Sequence, residues 1–357
     1  MSFVTDHLKD LEKFAAMSKT VGARPDYIQG GGGNTSMKTE DGYMLIKASG
    51  FRLCDITTDN AYATIDYKPL AAFYTQTDPA TLEDVEKTGT EKGKELTVTF
   101  PELPALRPSV EAGFHSIQNR FVIHTHSVYG NLAACAENCD EILKEAFKDA
   151  PYSYAVVEYT DPGVKLTFTI WDAIEKTMKE TGRKPSVIVM KNHGIIATDD
   201  DADRTIEIHE DANVRIAAYF GIDAKDYPKP QIKACDGGFV SDTPWLIDRM
   251  KKGEYTADQL LENPLYPDQM VFFVGTLQRP GEDPVDGTCS IDHESGLVTY
   301  RVKEAQAIAL EENFIACIYV QEILRRKGFT VKYMGDAARH FIANWESEKY
   351  RKSLVQK

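Results

Sequence analysis

The spacing of apolar positions in the first fifty residues predicts a helix, a glycine-rich loop and a short strand. Residues 5–19 carry apolar side chains at helical spacing, with Thr5 as a possible N-cap. The glycine run Gly30–Gly33 follows and predicts a loop, because glycines interrupt regular structure. Residues 43–46 read as a strand, and Ser49-Gly50 predicts a second turn. Two loops and one strand are therefore expected within about thirty residues.

Two short apolar runs in the middle of the chain lead directly into histidines. Residues 121–123 precede His124-Thr125-His126, and residues 187–190 precede Lys191-Asn192-His193. Continuous apolar runs of this length are typical of buried strands. Both histidine groups are therefore expected at strand ends.

The rest of the chain predicts alternating helices and strands. Residues 80–97 lack a clear period, which predicts a surface insertion or a mobile flap. The remaining predicted elements are a helix at 202–220, a linker at 221–243, strands at 270–274, 297–302 and 329–334, a helix at 303–327 and a last helix from 336 onward. This pattern favours an α/β fold with α+β layering. We expect a catalytic domain at 1–225 and a small α/β extension of unknown role at 226–357.

Charge and composition exclude several kinds of partner. The formal net charge of −14 would repel nucleic acid and anionic membranes, although a small anionic substrate could bind a local group of amides and cations. No apolar run reaches the ~20 residues of a membrane helix, and the first residues lack the layout of a signal peptide. The six cysteines are scattered, which is typical of reduced thiols. These features favour a cytoplasmic protein.

Three imidazoles are candidates for one metal site. Alternate positions of a strand face the same side, so His124 and His126 could hold a single ion. Such a pair alone is more often an ordinary surface or core pair, but His193 also ends an apolar strand, and Gly194 permits a tight turn after it. Three neutral imidazoles leave an open position on zinc, as catalytic sites require.

A carboxylate and two loops could complete this site. Glu111 precedes a helical segment at 112–118 and could be a base, a fourth ligand or simply a carboxylate favoured by the helix dipole. Ser109 could likewise be only an N-cap. Gly30–Gly33 and the Ser49-Gly50 turn expose N–H groups suited to phosphate oxygens. Neither the Walker nor the Rossmann glycine spacing is present, so a nucleotide site is not expected.

Five motifs in a fixed order resemble the class II aldolase/adducin family. They are Gly-Gly-Gly-Asn-Thr-Ser at 31–36, Lys-Ala-Ser-Gly at 47–50, Arg-Pro-Ser-Val-Glu at 107–111, His-Thr-His at 124–126 and Asn-His-Gly at 192–194. The resemblance covers residues 5–222 and is greatest to rhamnulose- and fuculose-1-phosphate aldolases. It implies a central β-sheet flanked by helices and one zinc ion per chain. The implied site residues are the metal ligands His124, His126 and His193, the acid/base Glu111, and the phosphate-binding residues Gly33, Asn34, Ser49, Gly50 and Ser109.

The reaction that this resemblance implies is zinc-dependent cleavage of a ketose 1-phosphate to dihydroxyacetone phosphate and a short aldehyde. The alternatives are a pentulose-phosphate 4-epimerase, a sugar-phosphate dehydratase, a decarboxylase, or an adducin-like binding module without catalysis. Epimerases of the family typically carry aspartate where this chain has Glu111, which favours the aldolase. The resemblance also implies a homotetramer in which a neighbouring subunit's tyrosine completes the site, and Tyr159 is one candidate among seventeen tyrosines.

Overall fold

The computed structural model describes residues 2–344, which contain a mixed eight-stranded sheet. Its strands are β1 (Asn34–Lys38), β2 (Tyr43–Lys47), β3 (Tyr62–Asp66), β4 (Thr97–Val98), β5 (Phe121–Thr125), β6 (Tyr154–Val157), β7 (Val187–Met190) and β8 (Gly194–Asp199). They lie in the order β4-β3-β2-β1-β5-β8-β7-β6. Neighbouring strands are antiparallel, except that β6 runs parallel to β7. The sheet therefore places β1, β5 and β8 side by side at its centre.

Both faces of this sheet are buried. In β5, Phe121 and Ile123 join one hydrophobic cluster and Val122 joins another, and the same alternation separates Val189 from Met190 in β7. This separation follows from the two-residue period of a strand. Because neither face meets solvent, the strands read as continuous apolar runs rather than as alternating ones.

Helices cover the two faces. They are α1 (Phe3–Asp6), α2 (Leu8–Gly22), α3 (Tyr67–Gln76), α4 (Val85–Glu95), α5 (Ala112–Ser116), α6 (Val128–Ala134), α7 (Cys139–Ala146), α8 (Val164–Thr181), α9 (Ala202–Tyr219), α10 (Pro244–Lys251), α11 (Ala257–Glu262), α12 (Pro267–Phe273), α13 (Glu304–Arg326) and α14 (Asp336–Asn344), with 3-10 turns at Leu53–Asp55, Pro79–Thr81 and Ala224–Asp226. Helices α2, α6, α9 and α13 pack on one face, and α3, α5 and α8 pack on the other. Within residues 2–344, no helix combines the length and apolar character that a membrane span needs.

A second, four-stranded sheet follows in residues 226–344, the described part of the C-terminal segment. Its strands are β9 (Ile232–Cys235), β10 (Gly238–Ser241), β11 (Cys289–Asp292) and β12 (Leu297–Tyr300), and they form an antiparallel sheet in the order β11-β12-β10-β9. One hydrophobic cluster contains both Phe14 of α2 and Phe314 of α13. The domain boundary predicted near residue 225 stays a prediction, because apolar packing continues across it.

The α/β fold class and the predicted helices at 202–220 and 303–327 are confirmed. Helix α13 occupies almost all of the predicted 303–327 helix, and α9 that of 202–220. Asp201 caps α9 through its side chain, which accepts a hydrogen bond from the Arg204 N–H at 3.0 Å. The sequence pattern therefore identified these two long helices, one of them with its cap.

The strand predicted at 270–274 is wrong, because those residues belong largely to α12. Every residue of Pro267–Phe273 is buried, so the run has no polar face to reveal a helical period. Pro267 at the first helical position and Asp268 in the first turn are the helix-start signals that the prediction missed. The strand predicted at 329–334 is also wrong, since the structure has there only an isolated bridge between Ala136 and Val331.

Three smaller predictions also need correction. Residues 80–97, predicted as a surface insertion or a mobile flap without regular structure of their own, contain the helix α4. The linker predicted at 221–243 contains the β9–β10 hairpin, whose two-residue turn Asp236-Gly237 is a common hairpin sequence. The first helix is capped by Ser2 instead of Thr5, and α2 begins only at Leu8.

Candidate active site

The three predicted metal ligands come together at the end of the central strands. His124 lies in β5, paired with Asn34 of β1 and Ile196 of β8, and His126 follows just after the strand. His193 lies in the tight turn between β7 and β8. The preceding residue, Asn192, has a φ of 54°, a left-handed conformation that asparagine tolerates better than most residues. Antiparallel pairing of β5 with β8 therefore brings the two histidine motifs to one place.

The histidine ligand atoms are close enough to share one ion. They lie within 4.8 Å of one another, and the Nε2 atoms of His124 and His126 are 3.2 Å apart. All three residues are buried. Burial lowers the pKa of His124 well below its usual value, although the nearby Glu111 carboxylate opposes this shift. A neutral imidazole is the form that binds zinc, so this donor set fits the implied metal.

The Nδ1 atoms of the three histidines lie in three different environments. His124 Nδ1 lies 3.1 Å from the carbonyl oxygen of Ile195, and His126 Nδ1 forms a hydrogen bond with Asp268 Oδ2. His193 Nδ1 is buried and has no hydrogen-bond partner among residues 2–344. The Asp268 contact was missed by sequence reasoning, since this aspartate lies 142 positions after His126.

Glu111 stands beside the histidines. It occupies the N-cap position of α5, and its backbone N–H donates to Ser109 Oγ at 3.3 Å. Its Oε1 lies 3.2 Å from His193 Nε2 and its Oε2 lies 3.7 Å from His124 Nε2. Burial alone would raise the pKa of the Glu111 carboxyl, but His124 and a hydrogen bond with His193 hold that pKa well below its usual range. Glu111 is therefore a buried carboxylate directed at the three imidazoles.

Asn34 and His115 hold this carboxylate in place. Asn34 Nδ2 donates to Glu111 Oε2 at 2.6 Å and to Ser109 Oγ at 3.2 Å, while Asn34 Oδ1 forms a hydrogen bond with His115 Nε2. The other His115 nitrogen lies 2.7 Å from Ser36 Oγ. Burial lowers the pKa of His115 to about 3, so its ring is neutral and can donate through one nitrogen and accept through the other. The side-chain amide of Asn34 therefore orients Glu111. The phosphate-binding role expected for Asn34 stays a prediction.

All five residues expected to bind phosphate line one cleft with the catalytic candidates. The cleft wall contains Gly33, Asn34, Ser49, Gly50 and Ser109, together with Glu111, His126, His193, Lys47, Val110, Pro162, Pro267 and Asp268. Gly33 has a φ of 64°, and a Cβ atom there would come within 2.6 Å of the His124 carbonyl oxygen. The loop can therefore approach the histidine strand only with glycine at this position.

Lys47 places a cationic side chain in the same wall. It is buried, and its Nζ donates to the carbonyl oxygens of Phe51 at 2.9 Å and Gly31 at 3.3 Å. In the sequence this lysine is the first residue of the Lys-Ala-Ser-Gly motif at 47–50. Tyr159 forms a hydrogen bond with Asp161 at 3.1 Å and does not line the cleft within the described part of the chain, although nearby Pro162 does. A tyrosine contributed by another subunit, and the homotetramer itself, stay predictions.

The sequence matches a known family model. The chain belongs to the Class II Aldolase and Adducin N-terminal domain family, whose model matches residues 12–214. The matched residues contain all eight strands of the large sheet.

Relatives with known sequence or structure are distant. The uncharacterized oxidoreductase YuxG of Bacillus subtilis (strain 168) is 23% identical over 307 residues, which are 80% of this chain but 41% of YuxG, so the chain spans less than half of that relative. The N-terminal class II aldolase domain of a conserved protein from Thermoplasma acidophilum is 21% identical, with a TM-score of 0.48, over 59% of this chain and 93% of that one. An L-fuculose-1-phosphate aldolase from Thermus thermophilus is 15% identical, with a TM-score of 0.36, over 60% of this chain and 97% of that one.

Proposed function

We propose that this chain is a zinc-dependent aldolase that cleaves a ketose 1-phosphate of the rhamnulose or fuculose type to dihydroxyacetone phosphate and a short aldehyde. The observation that carries the proposal is the position of Glu111, whose two carboxylate oxygens lie 3.2 Å and 3.7 Å from nitrogens of His193 and His124. Family membership supports the same class of reaction. A carboxylate next to a three-histidine centre is what proton transfer beside a bound metal requires.

In this proposal three histidines bind the metal and Glu111 transfers the proton. His124, His126 and His193 would hold zinc, which when bound supplies Lewis-acid stabilisation of negative charge on the substrate oxygens. Cleavage breaks the C3–C4 bond and leaves its electron pair on C3, and the C4 hydroxyl loses one proton while C3 gains one. The Glu111 carboxylate would take up that proton and deliver it to C3, and a neighbouring subunit's tyrosine is the candidate that passes it from the C4 hydroxyl. Asn34 keeps Glu111 oriented through its 2.6 Å hydrogen bond.

The cleft also offers a place for the substrate phosphate. Ser49 and Ser109 supply hydroxyl groups, and the glycine loop supplies closely packed backbone around Gly33. Lys47 adds positive charge against the overall net charge of −14. Hydroxyls, backbone amides and one cation are the usual components of a phosphate pocket. Together these groups support a small anionic sugar phosphate as the substrate.

The reaction is tested with a substrate panel. Purified protein supplied with zinc is incubated with rhamnulose 1-phosphate, fuculose 1-phosphate and ribulose 5-phosphate, and triose phosphate is measured by a coupled assay. We expect dihydroxyacetone phosphate from at least one ketose 1-phosphate. If no triose phosphate is released from any of them, the aldolase proposal is wrong. Interconversion of pentulose phosphates would instead indicate an epimerase.

The role of Glu111 is tested by the substitution Glu111→Gln. We expect kcat to fall by about 10²- to 10⁴-fold, because a positioned acid/base contributes roughly that factor. Glu207→Gln is the control, since Glu207 is an exposed carboxylate that pairs with Arg204 on α9. Zinc content measured in parallel should stay unchanged in both variants and fall in His126→Ala. Full activity of Glu111→Gln would remove the acid/base assignment.

A further inference from the structure

The C-terminal segment contributes a carboxylate to the outer side of the metal centre. Asp268 lies in the first turn of α12 and is only 1% exposed. Its Oδ2 forms a hydrogen bond with Nδ1 of His126, whose exposed fraction is 5%. The resemblance between this chain and the aldolases ends near residue 222, so Asp268 comes from the part whose role the sequence left open.

The orientation of His126 shows what this carboxylate does. The Nε2 of His126 faces the Nε2 of His124 at 3.2 Å, so its Nδ1 points away from the shared centre and towards Asp268. A carboxylate accepts hydrogen bonds, so it selects the tautomer of His126 with the proton on Nδ1. The lone pair on Nε2 is then directed at the centre. Only His124, His126 and His193 form a metal-ligand cluster within residues 2–344, which places Asp268 outside the ligand set.

The glycine loop leaves room for this pair. A Cβ atom at Gly32 would overlap Asp268 Oδ2 and come within 2.8 Å of His126 Nδ1. A neighbouring glycine has a similar relation to α12, because a Cβ atom at Gly30 would come within 2.5 Å of the Phe272 ring. The loop is therefore shaped around the helix that carries Asp268.

Helix α12 is in turn linked by hydrogen bonds to Asn192, the residue before His193. Asn192 Nδ2 donates to the carbonyl oxygen of Leu265 at 2.8 Å, and the Leu265 N–H donates to Gln269 Oε1 at 2.9 Å. Gln269 Nε2 closes the arrangement with a 2.7 Å hydrogen bond to the Leu260 carbonyl oxygen. The position of Asp268 is therefore set by buried hydrogen bonds that tie α12 to the residue before His193.

We propose that Asp268 is a positioning residue of the metal centre, through which the C-terminal segment increases the affinity of the three histidines for zinc. The inference rests on the metal-binding part of the proposed function. A carboxylate bound to the outer nitrogen of a histidine ligand fixes its ring and makes the inner nitrogen a better donor, and losing such a partner typically costs about 10- to 100-fold in metal affinity. The other histidines have weaker outer partners, because His124 contacts only a neutral carbonyl at that nitrogen.

The test measures the zinc dissociation constant directly, by competition with a fluorescent chelator on full-length apoprotein. We expect Asp268→Asn to bind zinc about 10- to 100-fold more weakly than the natural chain. Asp258→Asn is the matched control, because Asp258 also lies in the first turn of a helix in this segment but has a half-exposed side chain that pairs with Arg279. Its zinc affinity should equal that of the natural chain.

Gly32→Ala provides an independent variant that changes neither partner. Its added methyl group would separate Asp268 from His126, so zinc affinity should fall here too, and this variant decides the matter if Asp268→Asn does not fold. Circular dichroism of each apoprotein reports folding. If the natural chain binds zinc and both folded variants bind it equally well, the role of Asp268 is overturned while the proposed function stands. If the natural chain binds no zinc, both fall.

Discussion

At the scale of single residues, the catalytic candidate depends on buried polar neighbours that never touch the metal centre. Glu111 is held by Asn34, Asn34 by His115, and His115 by Ser36. Each link uses a donor and an acceptor that would otherwise be buried without partners, so each has a large energetic reason to stay formed. These hydrogen bonds require a neutral His115 ring, because one of its nitrogens donates and the other accepts.

This requirement predicts how stability depends on pH. A second buried histidine, His209 of α9, has the same property as His115. Burial lowers the pKa of both rings to about 3, while in the unfolded chain they bind protons near the ordinary pKa of 6.5. Below pH 6.5 the unfolded state therefore takes up more protons than the folded state, so stability is full above that pH and is lost progressively as pH falls towards 3. Urea unfolding at a series of pH values from about 7 to about 4 measures it. Replacing His209 with Gln should flatten this dependence, and an unchanged slope would contradict the assignment.

At the scale of elements, the site exists because two strands approach more closely than side chains normally allow. Gly194 begins β8 one residue before Ile195, which pairs with Thr125 at the end of β5, and a Cβ atom at Gly194 would overlap the carbonyl oxygen of Thr125. His124 precedes this contact in β5, and His193 precedes it in the turn before β8. The spacing of the metal ligands is therefore set by a backbone approach that only glycine permits.

We expect Gly194→Ala to destabilise the protein by about 1–3 kcal/mol, because the strands must move apart to accept the methyl group. Gly93→Ala is the control: Gly93 lies inside α4, where a Cβ atom would meet nothing within 4 Å, and alanine should stabilise the helix by about 0.5–1 kcal/mol. Chemical denaturation of both variants gives the two free energies. A neutral effect of Gly194→Ala would mean that the strands are not held at this distance.

At the scale of the whole molecule, side chains of the C-terminal segment and of the family domain at 12–214 form direct contacts. Asn192 donates hydrogen bonds to the carbonyl oxygens of both Leu265 and Lys332, at 2.8 Å each. Within the C-terminal segment, the tilted rings of Phe273 in α12 and Phe314 in α13 pack with their centroids 4.4 Å apart. The Arg52 guanidinium pairs with Glu312 at 2.8 Å, and Glu312 also accepts from the Gly30 N–H at 2.7 Å. The glycine loop is therefore supported from the C-terminal segment.

Two substitutions at Asn192 separate this support from local backbone strain. Asn192→Gly keeps the left-handed conformation but removes the donor to the buried Leu265 carbonyl and the part-buried Lys332 carbonyl, so unfolding free energy should fall by about 1–3 kcal/mol. Asn192→Ala should cost more, because alanine at a φ of 54° adds strain. Urea titration followed by circular dichroism measures both. A glycine variant as stable as the natural chain would show that these bonds do not secure the C-terminal segment.

The sequence by itself determined the α/β fold class and the helices α9 and α13, because alternate residues of a strand share a face and apolar periods mark helices. The family and the grouping of Glu111 with three histidines followed from the resemblance of five ordered motifs. Tertiary structure alone decided that His115 aligns Asn34 with Glu111 and that Asp268 binds His126. These two contacts join residues 81 and 142 positions apart. No local pattern encodes such pairs, because the packing of the folded chain is what brings their atoms within hydrogen-bond distance.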